Sequence, residues 1–233
     1  MPRLILFPVH IGCDELSHSL PAYNLELLYG CHTFIVEELR TARRFLKHAG
    51  YPHSIDDTTF YLLNEHTAEA DIAAYLDAVA EGEDVGLLSE AGLPCVADPG
   101  RLITHQAQRR GIEIVPLVGP SSLMLALMAS GFNGQNFAFN GYLPIDRHER
   151  IAAIRTLEQR VLRNDQTQIF IEAPYRNNQM LATLAETLHP DTMVCVACDL
   201  TLPTQYIVSR AAHQWRTNTP NLHKRNTVFL IGK

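Results

Sequence analysis

The residues of this sequence best placed to move a proton follow apolar runs. Glu37 and Glu38 come after Thr33–Val36, His66 after Phe60–Leu63, and Asp98 in the loop beyond Val85–Leu88. A carboxylate or imidazole within hydrogen-bond reach of a substrate proton acts as a general base. Glu37 and Glu38 also suit an acidic pair at a helix N-terminus, where the dipole favours negative charge. Asp98 opens Asp98-Pro99-Gly100, a sequence that turns the chain whether or not it does chemistry. Arg40 and Arg176 present guanidinium forks that fit a phosphate or carboxylate, or a surface ion pair.

The most informative segment is Leu87-Leu-Ser-Glu-Ala-Gly-Leu-Pro-Cys-Val-Ala-Asp-Pro-Gly100. A buried strand ends at Ser89 and runs into a loop carrying Gly92, Pro94, Pro99 and Gly100. Open α/β sheets bind ligands at such carboxyl ends. Glycine lets a backbone approach a ligand closely, and proline stiffens the path. The competing reading is an ordinary strand-to-helix connection.

Five cysteines are present, at 13, 31, 95, 195 and 198. An odd count with no secretory leader argues against a disulfide framework. Cys195 and Cys198 form one C-x-x-C pair, but no second pair stands at zinc-ribbon spacing, so no metal is expected. Met193–Cys198 reads as a buried strand with core thiols.

These residues need a scaffold, and the chain alternates strand-like and helix-like segments. Strands are expected at Leu4–Phe7, Thr33–Val36, Phe60–Leu63, Val85–Leu88 and Ile112–Pro116. Helices are expected at Thr41–His48, Ala68–Ala80 and Leu102–Arg110, the last stopping at Gly111. Val115-Pro-Leu-Val-Gly-Pro120 interrupts the pattern as a connection, and a helix Leu123–Ala129 follows. A second series then predicts strands at Phe137–Asn140, Gln168–Ile171, Met193–Ala197, Gln205–Val208 and Val228–Ile231, with helices near Glu149–Leu162 and Gln179–Leu188. The fold class is therefore α/β, in two α/β domains, 1–117 and 118–233.

Composition narrows the function. The 233 residues are 46% apolar and 19% charged, enough for a packed core and unlike a disordered chain. No apolar run is long enough to span a bilayer, and the apolar start Leu4–Phe7 is shorter than a signal peptide, so a cytoplasmic protein is expected. The net charge of −6 argues against broad coating of nucleic acid. Local basic clusters at Arg40, Arg43, Arg44 and Lys47, and at Arg101, Arg109 and Arg110, are either phosphate-binding patches or solvated helix faces.

Ser89-Glu-Ala-Gly-Leu-Pro…Asp98-Pro-Gly resembles the Ser-Asp-Ala-Gly-Thr-Pro…Asp-Pro-Gly signature of the ribosomal RNA small subunit methyltransferase I family, within the tetrapyrrole methylase superfamily. The resemblance runs through most of the chain. Pro8-Val-His-Ile-Gly-Cys13 is similar to Pro-Thr-Pro-Ile-Gly-Asn, and Glu37-Glu-Leu-Arg40 to Glu-Asp-Thr-Arg. His66 falls on the His of His-Asn-Glu, and Val118-Gly-Pro-Ser-Ser122 on a Pro-Gly-Pro segment. Gly141-Tyr-Leu-Pro144, Phe170-Ile-Glu-Ala-Pro-Tyr-Arg176 and Ala197-Cys-Asp-Leu-Thr201 follow in the family's order. Departures fall at Cys13 for Asn, Thr67 and Ala68 for Asn-Glu, Leu93 for Thr and Leu202 for Lys. Arg225-Asn226 stands where the family has a Glu before the last strand.

The resemblance implies an S-adenosylmethionine-dependent methyltransferase with a cofactor cleft between its two domains, related to the enzymes that methylate a cytidine ribose 2′-hydroxyl of ribosomal RNA. The departures leave two alternatives: a methyltransferase for a tetrapyrrole or other small molecule, or a degenerate cofactor-binding paralogue. Cofactor contacts are implied at Ile11, Ala91, Gly92, Leu93, Val96, Ser121, Ser122, Glu172, Leu200 and Thr227. Methyl transfer from a sulfonium is an in-line displacement, so alignment of nucleophile and methyl dominates. A ribose hydroxyl is a poor nucleophile and gains from a base, for which Glu37, Glu38, His66 and Asp98 are the candidates. The implied partners are a second copy of the chain, as a homodimer, and ribosomal RNA or the small ribosomal subunit.

Overall fold

The computed structural model describes residues 2–64 and 67–233; the candidate base His66 lies outside the described residues. The chain divides into two compact units, Met1–Ser121 and Ser122–Lys233.

The first unit contains β1 (Arg3–Phe7), α1 (Ala22–Tyr29), β2 (Thr33–Val36), α2 (Leu39–His48), β3 (Thr59–Leu62), α3 (Glu69–Ala74), α4 (Asp77–Ala80), β4 (Val85–Leu88), α5 (Arg101–Arg109) and β5 (Glu113–Pro116). Its five strands form a parallel sheet in the order β3-β2-β4-β1-β5. The central strands β2 and β4 are buried along their whole length, as continuous apolar runs covered on both faces should be. Ile5, Phe7, Phe34 and Val36 face α1 and α2, packing with Leu28, Ala42, Phe45 and Leu46. Leu4, Leu6, Ile35 and Leu87 face the opposite way, onto Ile72, Leu76, Val79 and Ile103.

The second unit contains α6 (Ser122–Ser130), β6 (Phe137–Tyr142), α7 (Arg147–Asn164), β7 (Thr167–Ile171), α8 (Asn177–Thr187), β8 (Met193–Cys198), β9 (Tyr206–Ala211) and β10 (Thr227–Gly232). Its sheet runs β6-β7-β10-β8-β9, with β6 parallel to β7 and the other pairs antiparallel. Side chains alternate across β8, so Cys195 packs on the face with Leu123 and Leu127, while Cys198 packs on the face with Ile154 and Trp215. The two thiols of the C-x-x-C pair therefore point to opposite faces, and both are free and buried.

Three expectations are corrected. The single helix over 68–80 is two short helices: the chain breaks at Tyr75 and Leu76, where the Tyr75 hydroxyl donates to the Leu62 carbonyl at 2.9 Å and the ring stacks on Tyr61. Ile72, Leu76 and Val79 are its buried residues. Helix α1 was not anticipated, because its apolar residues show almost no one-sided distribution. The boundary between the units lies after Ser121, not after residue 117. Asn24 Nδ2 donates to the Val118 carbonyl at 2.8 Å, and Gly119 lies so close to Pro8 that a Cβ there would strike the proline ring; both contacts hold 118–120 in the first unit.

Candidate active site

Strand β2 leads outward to β3, whereas its neighbour β4 leads the other way, past β1 to β5. The loops leaving these two carboxyl ends diverge and open the crevice that an α/β sheet offers to a ligand. Glu37 and Glu38 follow β2; Glu90 and Asp98 follow β4.

Each carboxylate has a different setting. Glu37 is half-buried, and burial, then the charges of Asp98 and Glu90, push its pKa up to about 7. Glu38 is exposed and caps α2: its carboxylate accepts from the N–H groups of Arg40 and Thr41, both at 2.9 Å, and from the Thr41 hydroxyl at 3.0 Å. Those bonds hold it below the usual carboxylate range, which suits a cap and not a proton acceptor. Asp98 is raised by burial, but its Oδ1 accepts from the N–H groups of Cys95 and Gly100, both at 2.8 Å, so it ties the loop together. Glu90 was missed. Burial raises its pKa against a bond from Thr41, and the negative charge of Glu38 adds to the rise. The signal available for it was its place two residues past the end of β4, as Glu38 stands past the end of β2.

The loop from Ser89 to Gly100 is shaped by backbone constraints. Gly92 sits at φ +75° and pairs with Val9 through two 3.0 Å bonds, each donating its N–H to the other's carbonyl. Cys95 and Ala97 also adopt left-handed φ, at +67° and +62°, conformations that non-glycine residues hold only when their surroundings impose them. Val96 between them is 44% exposed, Ala91 is exposed and Leu93 half-buried. A Cβ on Gly92 would lie 3.2 Å from the Pro120 carbonyl and 3.6 Å from Ile11, so Ile11, Gly92 and the segment leading into Ser121 converge. Gly92→Ala is therefore expected to cost about 1–2 kcal/mol for the left-handed backbone alone. A melting point lowered by roughly 2–8 °C, against no change in Gln108→Ala on the exposed side of α5, is the expected result of thermal melts.

In the second unit the register Thr227↔Cys198 and Val228↔Ile171 brings Glu172, Leu200 and Thr227 to one end of the sheet. Ser122 begins α6, whose next residue Leu123 packs with Leu200 and Val228. The Glu172 side chain is 1% exposed, and its Oε1 accepts from Arg176 at 2.6 and 3.0 Å and from the Ala173 N–H at 2.7 Å. Arg176 is thus committed to Glu172, and Glu172 acts by fixing the bend after β7. Leu200 lies between Asp199 and Thr201, both at positive φ, +51° and +72°. Arg225, standing where the resemblance leads one to expect a Glu, donates to Asp199 at 2.8 Å and to the Thr204 carbonyl at 2.7 Å.

Residues 22–213 match the family model of the Tetrapyrrole (Corrin/Porphyrin) Methylases. The chain belongs to that family. Among its relatives, the ribosomal RNA small subunit methyltransferase I of Leptospira borgpetersenii is 33% identical over 99% of this chain and 87% of its own length. The protein of that name from Pseudomonas aeruginosa is 30% identical over 97% of this chain and 78% of its own length. Two solved methyltransferases share the fold. CobJ matches with a TM-score of 0.65 at 18% identity, covering 100% of this chain and 95% of its own. Uroporphyrin III C-methyl transferase from Thermus thermophilus matches at 0.58 and 16% identity, covering 99% and 97%. As a tetrapyrrole methylase family member the chain is a methyltransferase, and methyltransferases of this family use S-adenosylmethionine. Among the described residues, no helix is long and apolar enough to cross a membrane.

Proposed function

We propose that this protein transfers a methyl group from S-adenosylmethionine to a ribose 2′-hydroxyl of ribosomal RNA, with Glu37 as the general base. The observation that carries the reading is the half-buried Glu37 carboxylate at the diverging loops of β2 and β4, with its pKa brought up to about 7. A hydroxyl must give up its proton as its oxygen bonds the methyl carbon, and a carboxylate poised near neutrality can take it. The names of the relatives supply the acceptor class.

The residues of the first unit fit the cofactor. A Cβ at Gly92 would crowd the Pro120 carbonyl and Ile11, so only glycine lets these segments converge, and the left-handed backbone around Val96 holds an exposed loop in one shape. Ile11, Ala91, Gly92, Leu93, Val96 and Ser121 would contribute from this unit; in the second unit Glu172 supports its own bend. When bound, S-adenosylmethionine supplies the methyl group and the sulfonium leaving group. Glu37 takes the hydroxyl proton on its carboxylate, Glu38 anchors the start of α2 beside it, and Asp98 keeps the β4 loop closed.

The test is transfer of labelled methyl from the cofactor to total RNA from a strain lacking the gene. Label entering one small-subunit RNA, lost in Glu37→Gln, is expected. Label entering a tetrapyrrole and no RNA would overturn the acceptor assignment. We further propose that the protein works as a homodimer in the cytoplasm. Helix α6 is apolar along its length yet leaves Met128 79% exposed, a face that a second copy would cover. A monomer mass by light scattering over a wide concentration range would refute the dimer.

A further inference from the structure

We propose that the solvent face of α2 is the surface on which the phosphate backbone of the acceptor RNA rides. The inference deepens the ribosomal RNA reading above and depends on it. The chain holds 25 acidic residues against 19 Lys and Arg, yet α2 carries Arg40, Arg43, Arg44 and Lys47 within ten residues and no acid. All four are exposed, and none makes an ion pair with a described residue. What sets α2 apart is density without acids: α7 also carries several arginines, but over 18 residues and interleaved with Glu149 and Glu158.

Helix stabilisation does not account for this stripe. Cations favour the last turn, which suits Lys47 but not Arg40 in the first turn, where the dipole opposes positive charge. Nor does the face serve a lipid surface. The apolar side of α2, Ala42, Phe45 and Leu46, is already buried in the core, so nothing remains to enter a bilayer. What remains is a rigid row of cations spanning about 10 Å from Arg40 to Lys47. Arg43 lies over the Phe60 ring at 5.7 Å, and Phe60 is itself stacked on Phe34, so this contact anchors one cation of the row against the core.

The row begins beside the reactive carboxylate. Glu38 caps α2, and Glu37 immediately precedes it. Charge then sorts the strand: Glu37, Glu38, Glu90 and Asp98 repel phosphate from the loop end, while Arg43, Arg44 and Lys47 attract it one and two turns further on. A strand held there presents a ribose, not a phosphate, toward Glu37.

The experiment is fluorescence anisotropy of a labelled single-stranded fragment of small-subunit RNA, titrated with the full chain at several salt concentrations. The variant is Arg44→Glu with Lys47→Glu. The control is Arg155→Glu with Arg163→Glu on the exposed side of α7, which changes net charge equally. Circular dichroism and calorimetric cofactor affinity establish that both remain folded. The α2 variant is expected to bind RNA at least about tenfold more weakly, with the slope of log K against log salt reduced by about 1.4, roughly 0.7 per phosphate contact. The control keeps the wild-type slope. Wild-type affinity and slope in the α2 variant, or equal loss in the control, would overturn the placement on α2 alone. A wild type that binds cofactor and phosphatidylserine vesicles but no RNA would overturn the ribosomal reading, and this inference with it.

Discussion

Glu37→Gln is expected to lower kcat for methyl transfer by about 10²–10⁴ while leaving cofactor affinity unchanged. Glutamine keeps the size and hydrogen-bonding capacity of the side chain but cannot take a proton. In the wild type, kcat should climb with pH through about 7 and then level off, because the carboxylate must be ionised to act. The variant should lack that limb. Stability should move the other way. The folded-state pKa of Glu37 is raised, so the folded protein holds a proton that the unfolded chain has released between pH 4.5 and about 7. Across that window the stability contribution of this group falls as pH rises. Glu37→Gln removes the penalty, so at pH 8 it should melt no lower than the wild type and at pH 5 no higher by the same margin. Steady-state rates and melting curves from pH 5 to 8.5 check both. A variant with full activity and an unchanged pH profile would remove Glu37 from the chemistry and leave Glu90 as the carboxylate to test next.

The largest loss of stability should come from Arg176→Ala. The Glu172 side chain is 1% exposed and Arg176 19%, and two of the three bonds to Glu172 Oε1 come from that arginine. Removing one partner of a buried pair strands the other's charge, and about 3–5 kcal/mol should be lost. Arg176→Lys should recover only part, because an ammonium supplies charge without the planar fork that donates from Nε and Nη2 together. The double change Glu172→Gln with Arg176→Ala should be more stable than Arg176→Ala alone, since no buried charge is left unpaired. Urea denaturation of the four proteins measures this. Equal stability of the single and double variants would show that the Glu172 charge is not what Arg176 offsets.

Much of the architecture was legible because it depends on local pattern. Strands such as Thr33–Val36 and Val85–Leu88 are short apolar runs bounded by polar residues, and buried parallel strands look like that in any sequence. The stop of α5 at Gly111 was equally local: the glycine takes φ +67°. The break at Tyr75 was not legible, because Ile72, Leu76 and Val79 keep helical spacing through it and the cause is a hydroxyl reaching Leu62, thirteen residues away. Helix α1 was hidden for the opposite reason, its apolar residues being spread around the helix.

For the candidate site, the sequence by itself determined which residue types stand at the strand ends and that the loop after β4 is rich in glycine and proline. It could not separate Glu37 from Glu38, adjacent and chemically identical. Tertiary structure did, by turning Glu38 onto the free N–H groups of α2 and Glu37 toward Asp98 and Glu90, so that one carboxylate is held low and the other is raised toward neutrality. The same holds for Glu172, which sequence placed at the cofactor and the fold commits to Arg176. A residue's type is set locally, but its protonation and its partner depend on which distant segments the sheet order brings beside it, and that order, β3-β2-β4-β1-β5, is a property of the folded chain alone.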